Sequence, residues 1–421
     1  MLNRIRILQI GDIHLPDACR TGSNLDEKDR RFPSDLKSVL SERPIKTVYK
    51  RLYKHLVEDE ITAVLVMGDL TSYGTLDGFQ SCAEYIAKSL QIGQHGVFHS
   101  IPVGVLPGNH DVNRDLAKNP ALVAKFLPLR DALARVGLSN MPIQDPIWIK
   151  LQSGKSSASI ALLNSSWGCG AQEFIPEEFR GGVASAIDEA ISSGNSEKAT
   201  REYYERQFDT PAFSTNVLQA IAARHLGSDF LIVSAHHNLL PQRQPRLAPY
   251  TELVNSGALR STLQELDRPV LYLHGHIHDD PVEILNRPGT PPVVMISAPL
   301  ITDGYNIVEV ISNANGLPIS CAIRKWRYSN SGVIREVETM RVALLGNRRR
   351  SSSKTLPNLY SVLLKSREIY WLDALREAES IYSLDVKNQL IEELELLATD
   401  GHIQIENLDL DPEHWIIGAT L

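Results

Sequence analysis

At 421 residues the chain exceeds one average domain and is long enough for a large domain plus a small one. Its 43% hydrophobic and 22% charged residues give the balance of a globular protein, and no apolar run approaches the roughly 20 residues of a membrane-spanning helix. The net charge of −7 disfavours wholesale nucleic-acid binding and is unevenly placed: residues 360–421 carry four Lys/Arg against thirteen Asp/Glu, so the acidity belongs to that segment.

The opening stretch, MLNRIRILQIGDIH, is strand-like from Ile5 and turns polar directly afterwards. It lacks the long apolar stretch and small-residue cleavage site of a secretory leader, and the expected location is cytoplasmic. Cys19, Cys82, Cys169 and Cys321 form no CxxC pair, a pattern that suits reduced, structural thiols.

Five segments then share one grammar, an apolar run that stops abruptly at Gly, Asp, Asn or His: IRILQIGDIH (5–14), AVLVMGDL (63–70), PVGVLPGNHD (102–111), FLIVSAHH (230–237) and PVLYLHGHIH (269–278). Such runs predict strands buried on both faces. Helical patterns at Val48–Glu58 and Phe79–Leu90 alternate with the first of them, predicting an α/β sheet. Ligands bind beyond the carboxyl ends of strands in such sheets, and all five polar clusters lie there.

Between the third and fourth clusters, Leu116–Val136 and Val183–His225 are expected to be helical, and Ile147–Leu151 and Ser159–Leu163 to be strands. Part of residues 112–227 is expected to be a mostly helical insertion. Val293–Ile296, Tyr305–Ile311 and Ile319–Trp326 follow as strands of a second sheet. The polar, basic run NRRRSSSKT (347–355) marks a linker over 341–358, separating residues 1–340 from an acidic module at 359–421. In that module Ile369, Leu372, Leu375, Ala378 and Ile381 recur every third residue. Val386, Leu390, Leu394 and Leu397 run at helical spacing to Gly401, and a hairpin through Ile403, Ile405, Trp415 and Ile417 follows. Two helices and a hairpin resemble a winged helix. Its acidic excess argues against DNA binding and for docking a protein partner or self-association.

Asp12 and His14 stand two apart at a strand end, so both side chains can point the same way, and His276 and His278 repeat the arrangement. Asp69, Asn109 and His236 come from the clusters between. Oxygen and imidazole donors without thiolate suit Mn, Fe or Zn rather than a cysteine-type structural site. Seven donors are too many for one catalytic ion that keeps a position open, but fit a pair sharing a carboxylate. His110, followed directly by Asp111, has a carboxylate at hand to set its tautomer.

DIH at 12–14, GD at 68–69, GNHD at 108–111, His236 and GHIH at 275–278 resemble, in that order, the five sequence blocks of the calcineurin-like metallophosphoesterases. The resemblance implies a four-layer α-β-β-α sandwich that hydrolyses phosphate esters with two transition-metal ions. Carried over, Asp12, His14 and His278 hold one ion, Asn109, His236 and His276 the other, and Asp69 bridges them. His110 faces the leaving group as general acid or charge stabiliser, with Asp111 orienting its ring. His236 is preferred to His237 as the ligand because it is nearer the strand end.

The substrate is less legible. GDLTSYG and GNHD depart from the VDRG and GNHE blocks of protein phosphatases, while GDLTSYGTLDGFQ and PVGVLPGNHDVNR most resemble the bacterial cyclic-nucleotide phosphodiesterase branch. The expectation is a phosphodiesterase acting on nucleotides by in-line attack of an activated water. The alternatives are a nuclease within a bacterial defence or repair assembly, with nucleic acid as substrate only, and a non-catalytic scaffold that kept the fold. Arg114, Arg243, Arg246 and Arg260 follow the clusters and are candidates for phosphate contact, although solvated arginine is the simpler reading.

Overall fold

In the computed structural model the described residues are 3–15, 45–72, 74–119, 121–170, 210–224, 226–227, 229–241, 252–287, 290–329, 331–344, 361–363, 365–380, 386–408 and 410–419. The five apolar runs all become strands. β1 (Asn3–Ile10) leads through α1 (Ile45–Glu58) to β2 (Ala63–Val66), and α2 (Leu76–Leu90) leads to β3 (Val103–Val105). After α3 (Leu127–Arg135) come β4 (Ile147–Ser153), β5 (Ser156–Leu162), α4 (Thr215–Ala223), β6 (Phe230–Ser234), α5 (Ser256–Glu265) and β7 (Val270–His274). The remaining strands of the large unit are β8 (Val282–Leu285), β9 (Val293–Ser297), β10 (Gly304–Ser312), β11 (Pro318–Tyr328) and β12 (Ile334–Ala343).

These strands make two six-stranded sheets, ordered β12-β11-β10-β1-β2-β3 and β4-β5-β6-β7-β9-β8. β1, β2 and β3 run parallel, as do β5, β6, β7 and β9. Because alternate side chains face opposite ways, each buried strand feeds two cores. Ile5, Ile7 and Leu65 meet Leu162, Ile232 and Leu271 between the sheets. Leu8, Val64 and Val66 pack outward on Leu52 of α1, Phe79 of α2 and Leu133 of α3. On the far side Leu231, Val233 and Tyr272 pack on Ile221 of α4 and Leu263 of α5. The order of layers is α-β-β-α.

Three expectations need correction. Leu116–Val136 is two single turns of 3-10 helix followed by α3, because Asn119 is extended at the end of the first turn and Pro128 favours a fresh helix start. β10 and β11 do not belong to a second sheet with β9. β10 pairs antiparallel with β1 over Asn3↔Ser312 to Gln9↔Asn306, so both extend the first sheet. The β4–β5 hairpin, inside the stretch read as insertion, is the edge of the second sheet, where β5 lies parallel to β6. Most of Val183–His225, the run 347–355, Cys19, Arg243 and Arg246 lie outside the described residues. β12 continues to Ala343, into the stretch expected to be linker. Cys82, Cys169 and Cys321 are buried free thiols.

The acidic segment contains β13 (Glu368–Tyr370), α6 (Trp371–Glu379), α7 (Val386–Thr399), β14 (Ile403–Glu406) and β15 (Ile416–Ala419), with sheet order β13-β15-β14. Ile369 therefore lies on a strand, not on the first helix, and pairs with Ile417. Trp371 and Trp415 meet edge to face in this unit's own core. Gly401 closes α7 at φ +77°, a left-handed position that favours glycine. The acidic face of α7 is turned inward rather than toward solvent: Glu395 accepts from the Ser320 hydroxyl (2.9 Å) and pairs with Arg341, Glu392 accepts from Asn313 (3.0 Å), and Leu396 packs on Ile311, Ile319 and Ala322.

Candidate metal centre

The ends of β1, β2, β3, β6 and β7 converge at one edge of the sandwich, and there the backbone is strained. Non-glycine residues rarely adopt positive φ, yet His14 (46°), Asp69 (49°), His276 (69°) and His278 (56°) all do. Strain of this kind costs on the order of 1–3 kcal/mol per residue and persists where surrounding structure holds it. Here it bends each loop so that its side chain points into the common cleft. Two glycines permit the approach. Gly68 sits at φ +102°, and a Cβ at Gly108 would lie 2.1 Å from Asp69 Oδ1.

All seven sequence-predicted donors meet in this cleft. His278 Nε2 is 2.9 Å from Asp12 Oδ2 and 3.2 Å from His14 Nε2, so Asp12, His14 and His278 form one group. His236 Nε2 is 3.2 Å from Asn109 Oδ1, and its ring stands 5.1 Å from that of His276. Asp69 lies between: its Oδ2 is 3.8 Å from His14 Nε2 and 3.3 Å from His236 Nε2. The His237 Nδ1 meets the Ser165 hydroxyl at 2.8 Å, while its ring lies 4.4 Å from that of His276, in one group of possible donors with His236 and His276.

The donor chemistry fits cations. Asp12 and Asp69 are 1% and 2% exposed, and among the described residues their only ion-pair partners are histidines. A buried carboxylate is stable only when paired or coordinated. Burial alone would raise the Asp69 carboxyl, but His236, His110 and His14 around it hold it well below the usual range. Reciprocally, burial would lower His236, while Asp69 and Asp12 push it up to about 9. The cradle thus demands positive charge at the histidine nitrogens, which a cation at Nε2 supplies as well as a proton does. His236 Nδ1 is fixed by the carbonyl of Met67 at 2.7 Å, leaving Nε2 as the free donor.

His110 and Asp111 do not form the expected pair. His110 donates from its backbone N–H to Asp69 Oδ1 (2.8 Å), and its Nδ1 faces the carbonyl of Ser72 at 3.0 Å. Asp111 is fully buried and accepts from the N–H groups of Leu70, Thr71 and Gly108 and from the Thr71 hydroxyl. The ring is oriented by Ser72, a role that no side-chain pattern could reveal because a carbonyl carries it. Met67 was missed for the same reason. Arg114 turns its guanidinium onto the carbonyls of Gly170 (2.7 Å) and Asn109 (3.2 Å), bracing a ligand loop.

Residues 5–280, more than half of the chain and all seven donors, match the calcineurin-like phosphoesterase family. The chain belongs to that family. A calcineurin-like phosphoesterase hydrolyses phosphoesters at a dinuclear metal site, and the cleft described above is where the donors for such a site stand. Among solved structures the fold is similar to a dimetal phosphatase from Danio rerio, with 14% identity, a TM-score of 0.45 and coverage of 81% of this chain and 99% of that one. It is also similar to a purple acid phosphatase from yellow lupin (12%, TM-score 0.44, 81% of this chain and 54% of that one). A 5′-nucleotidase precursor from Thermus thermophilus shares 11% identity at a TM-score of 0.37, over 78% of this chain and 55% of that one. The chain spans about half the length of these last two. No curated protein matched in sequence. No helix among the described residues is long and apolar enough to cross a membrane.

Proposed function

We propose that this calcineurin-like phosphoesterase is a phosphodiesterase acting on nucleotides or other small diesters in the cytoplasm. Asp12, His14 and His278 would hold one ion and Asn109, His236 and His276 the other, with Asp69 shared; Mn, Fe or Zn suits this oxygen and imidazole set. The observation that carries the reading is the position of Asp69 Oδ2, one buried oxygen within 4 Å of a histidine from each group. When bound, the ions lower the pKa of a shared water and clamp the oxygens of an in-line displacement. The chain's own contribution is orientation and proton delivery. The Ser72 carbonyl keeps a proton on His110 Nδ1, so the proton given to the departing oxygen is the Nε2–H of the imidazolium form, which leaves the ring neutral and protonated on Nδ1. Asp111 supports the Asp69 loop from beneath.

The diester assignment rests on GDLTSYGTLDGFQ and PVGVLPGNHDVNR, which resemble the cyclic-nucleotide branch. The test is an assay of Mn-loaded protein on bis-p-nitrophenyl phosphate, p-nitrophenyl phosphate, cyclic AMP and single-stranded DNA, together with metal analysis. Turnover of the diester and of cyclic AMP with a pair of ions per chain is expected. Activity confined to the monoester or to DNA overturns the assignment.

A further inference from the structure

The outer face of the first sheet is apolar beneath α1–α3 but polar at the end remote from the ligand cleft. Arg4 and Arg6 leave β1 on the same face, and Glu309 of β10 is the register partner of Arg6. Beside them stand Arg324 of β11 and Arg341 of β12. The β14 hairpin closes over this patch without filling it, leaving a cavity of about 560 Å³ walled on one side by the arginines and on the other by Ile403, Gln404, Ile405 and Leu408. That volume lies in the range of small-molecule sites.

The cations in this wall are not equally engaged. Arg324 is fastened to Glu336 by two N–H groups, and Arg341 is paired with Glu395. Arg4 and Arg6 share Glu309, at 3.7 and 3.1 Å, with Arg324 at 3.5 Å, and Arg6 also lies 3.9 Å from the exposed Glu60. Their side chains are only 16% and 18% exposed, so water serves them poorly. Among the described residues the Arg4 guanidinium donates one hydrogen bond, to the carbonyl of Leu408 (2.7 Å), and that of Arg6 one, to Glu309. A guanidinium is a planar fork of N–H donors, and most of both forks is unused. The carboxylates that could oppose an anion are Glu309, already engaged, Glu336, held by Arg324, and Glu406, on the exposed rim.

We propose that this cavity is a second binding site, distinct from the metal cleft, for a small molecule carrying a phosphoryl group, held by the paired forks of Arg4 and Arg6. Two adjacent guanidinium groups match the geometry of phosphate oxygens and gain strength from partial burial. Among the described residues no aromatic ring lines the cavity, which argues for a phosphorylated group without base stacking. The site lies on the strand whose far end bears Asp12, roughly 20 Å away at a strand's rise per residue. A ligand there would also fasten the C-terminal unit to the sheet, since both supply its walls.

The test is calorimetric titration of the full chain with inorganic phosphate. Asn109→Ala, which removes a donor from the metal cleft, separates the two sites: a binding event is expected to survive in it. Gln404→Glu places a negative charge in the cavity wall without touching the Arg–Glu pairs, and is expected to weaken that event about tenfold. Arg4→Gln is expected to abolish it. Should Arg4→Gln fail to fold, Gln404→Glu alone decides, because Gln404 is exposed and among the described residues no hydrogen bond or ion pair is made by its side chain, its place in β14 being held by the backbone ladder with Gly418. Loss of all phosphate binding in Asn109→Ala, or binding indifferent to Gln404→Glu, overturns the proposal.

Discussion

Asp111 lies beneath Asp69 and fastens the loop that carries it. Its oxygens take the N–H groups of Leu70 (3.0 Å) and Thr71 (2.9 Å), the two residues after Asp69, and of Gly108 (3.0 Å) from the next loop. Burial, with the Asp69 charge alongside, pushes Asp111 up to about 6, a cost that three converging N–H groups offset only in part. Two acids are stacked here so that the upper one is held rigidly.

Asp111→Asn turns an NH₂ group toward N–H donors that then lack an acceptor. Each buried unsatisfied group costs roughly 1–3 kcal/mol. The expected result is a lower melting temperature together with reduced metal content, because the Asp69 loop loosens. Unchanged stability and metal content with lost turnover would instead return Asp111 to service of the His110 ring.

His110→Ala is expected to behave oppositely, keeping its metal and its melting temperature while turnover falls by on the order of 10²–10⁴, the range for a removed proton donor. The loss should be larger for esters with poor leaving groups than for p-nitrophenyl esters, whose phenolate departs without protonation. A leaving-group series measures this directly. A uniform loss across the series would remove proton transfer from His110's role.

The pattern of strands and the five clusters at their ends were legible because each depends on local chemistry: apolar runs that must be buried, and polar residues that end them. What escaped was set by partners distant in sequence. The pairing of β1 with β10 joins Asn3 to Ser312, and nothing in either segment names the other. The orientation of His110 by Ser72 and of His236 by Met67 uses carbonyls that every residue possesses. The acidity of α7 was visible, but its target was not. Arg341 and Ser320, which meet Glu395, lie on strands far from α7 in sequence.

Gly108→Ala tests the closeness of the two ligand loops. The added methyl would lie 2.1 Å from Asp69 Oδ1 and 2.3 Å from its backbone N, so one loop must move. With Asp69 as the proposed shared oxygen donor, the displacement is expected to reduce metal content and to lower turnover more than stability, because the loops lie at the rim of the core. Metal analysis and a thermal melt on the same sample distinguish this from general unfolding. Full metal content would show that the loops are looser than drawn.

The pH dependence of stability should carry a contribution from His55, which lies far from the ligand cleft. On α1 its Nδ1 meets Asp59 Oδ2 (2.5 Å) and its Nε2 meets the Tyr305 hydroxyl (2.8 Å), with the ring against Trp326. Burial lowers its pKa below 6.5 despite the hydrogen bond it donates to Asp59, and the charge of Arg51 lowers it further. The unfolded chain, with an ordinary imidazole, therefore binds a proton at a pH where the folded chain does not. Stability from this group is fully present above 6.5 and is lost as pH falls from there toward the folded value, with a slope of at most ~1.4 kcal/mol per pH unit. Urea denaturation at a series of pH values, comparing the parent with His55→Gln in the same metal state, isolates the contribution from that of the ligand histidines. The variant should show a shallower decline across that window. Parallel curves would mean that folding leaves proton binding by His55 unchanged, the hydrogen bond to Asp59 offsetting burial.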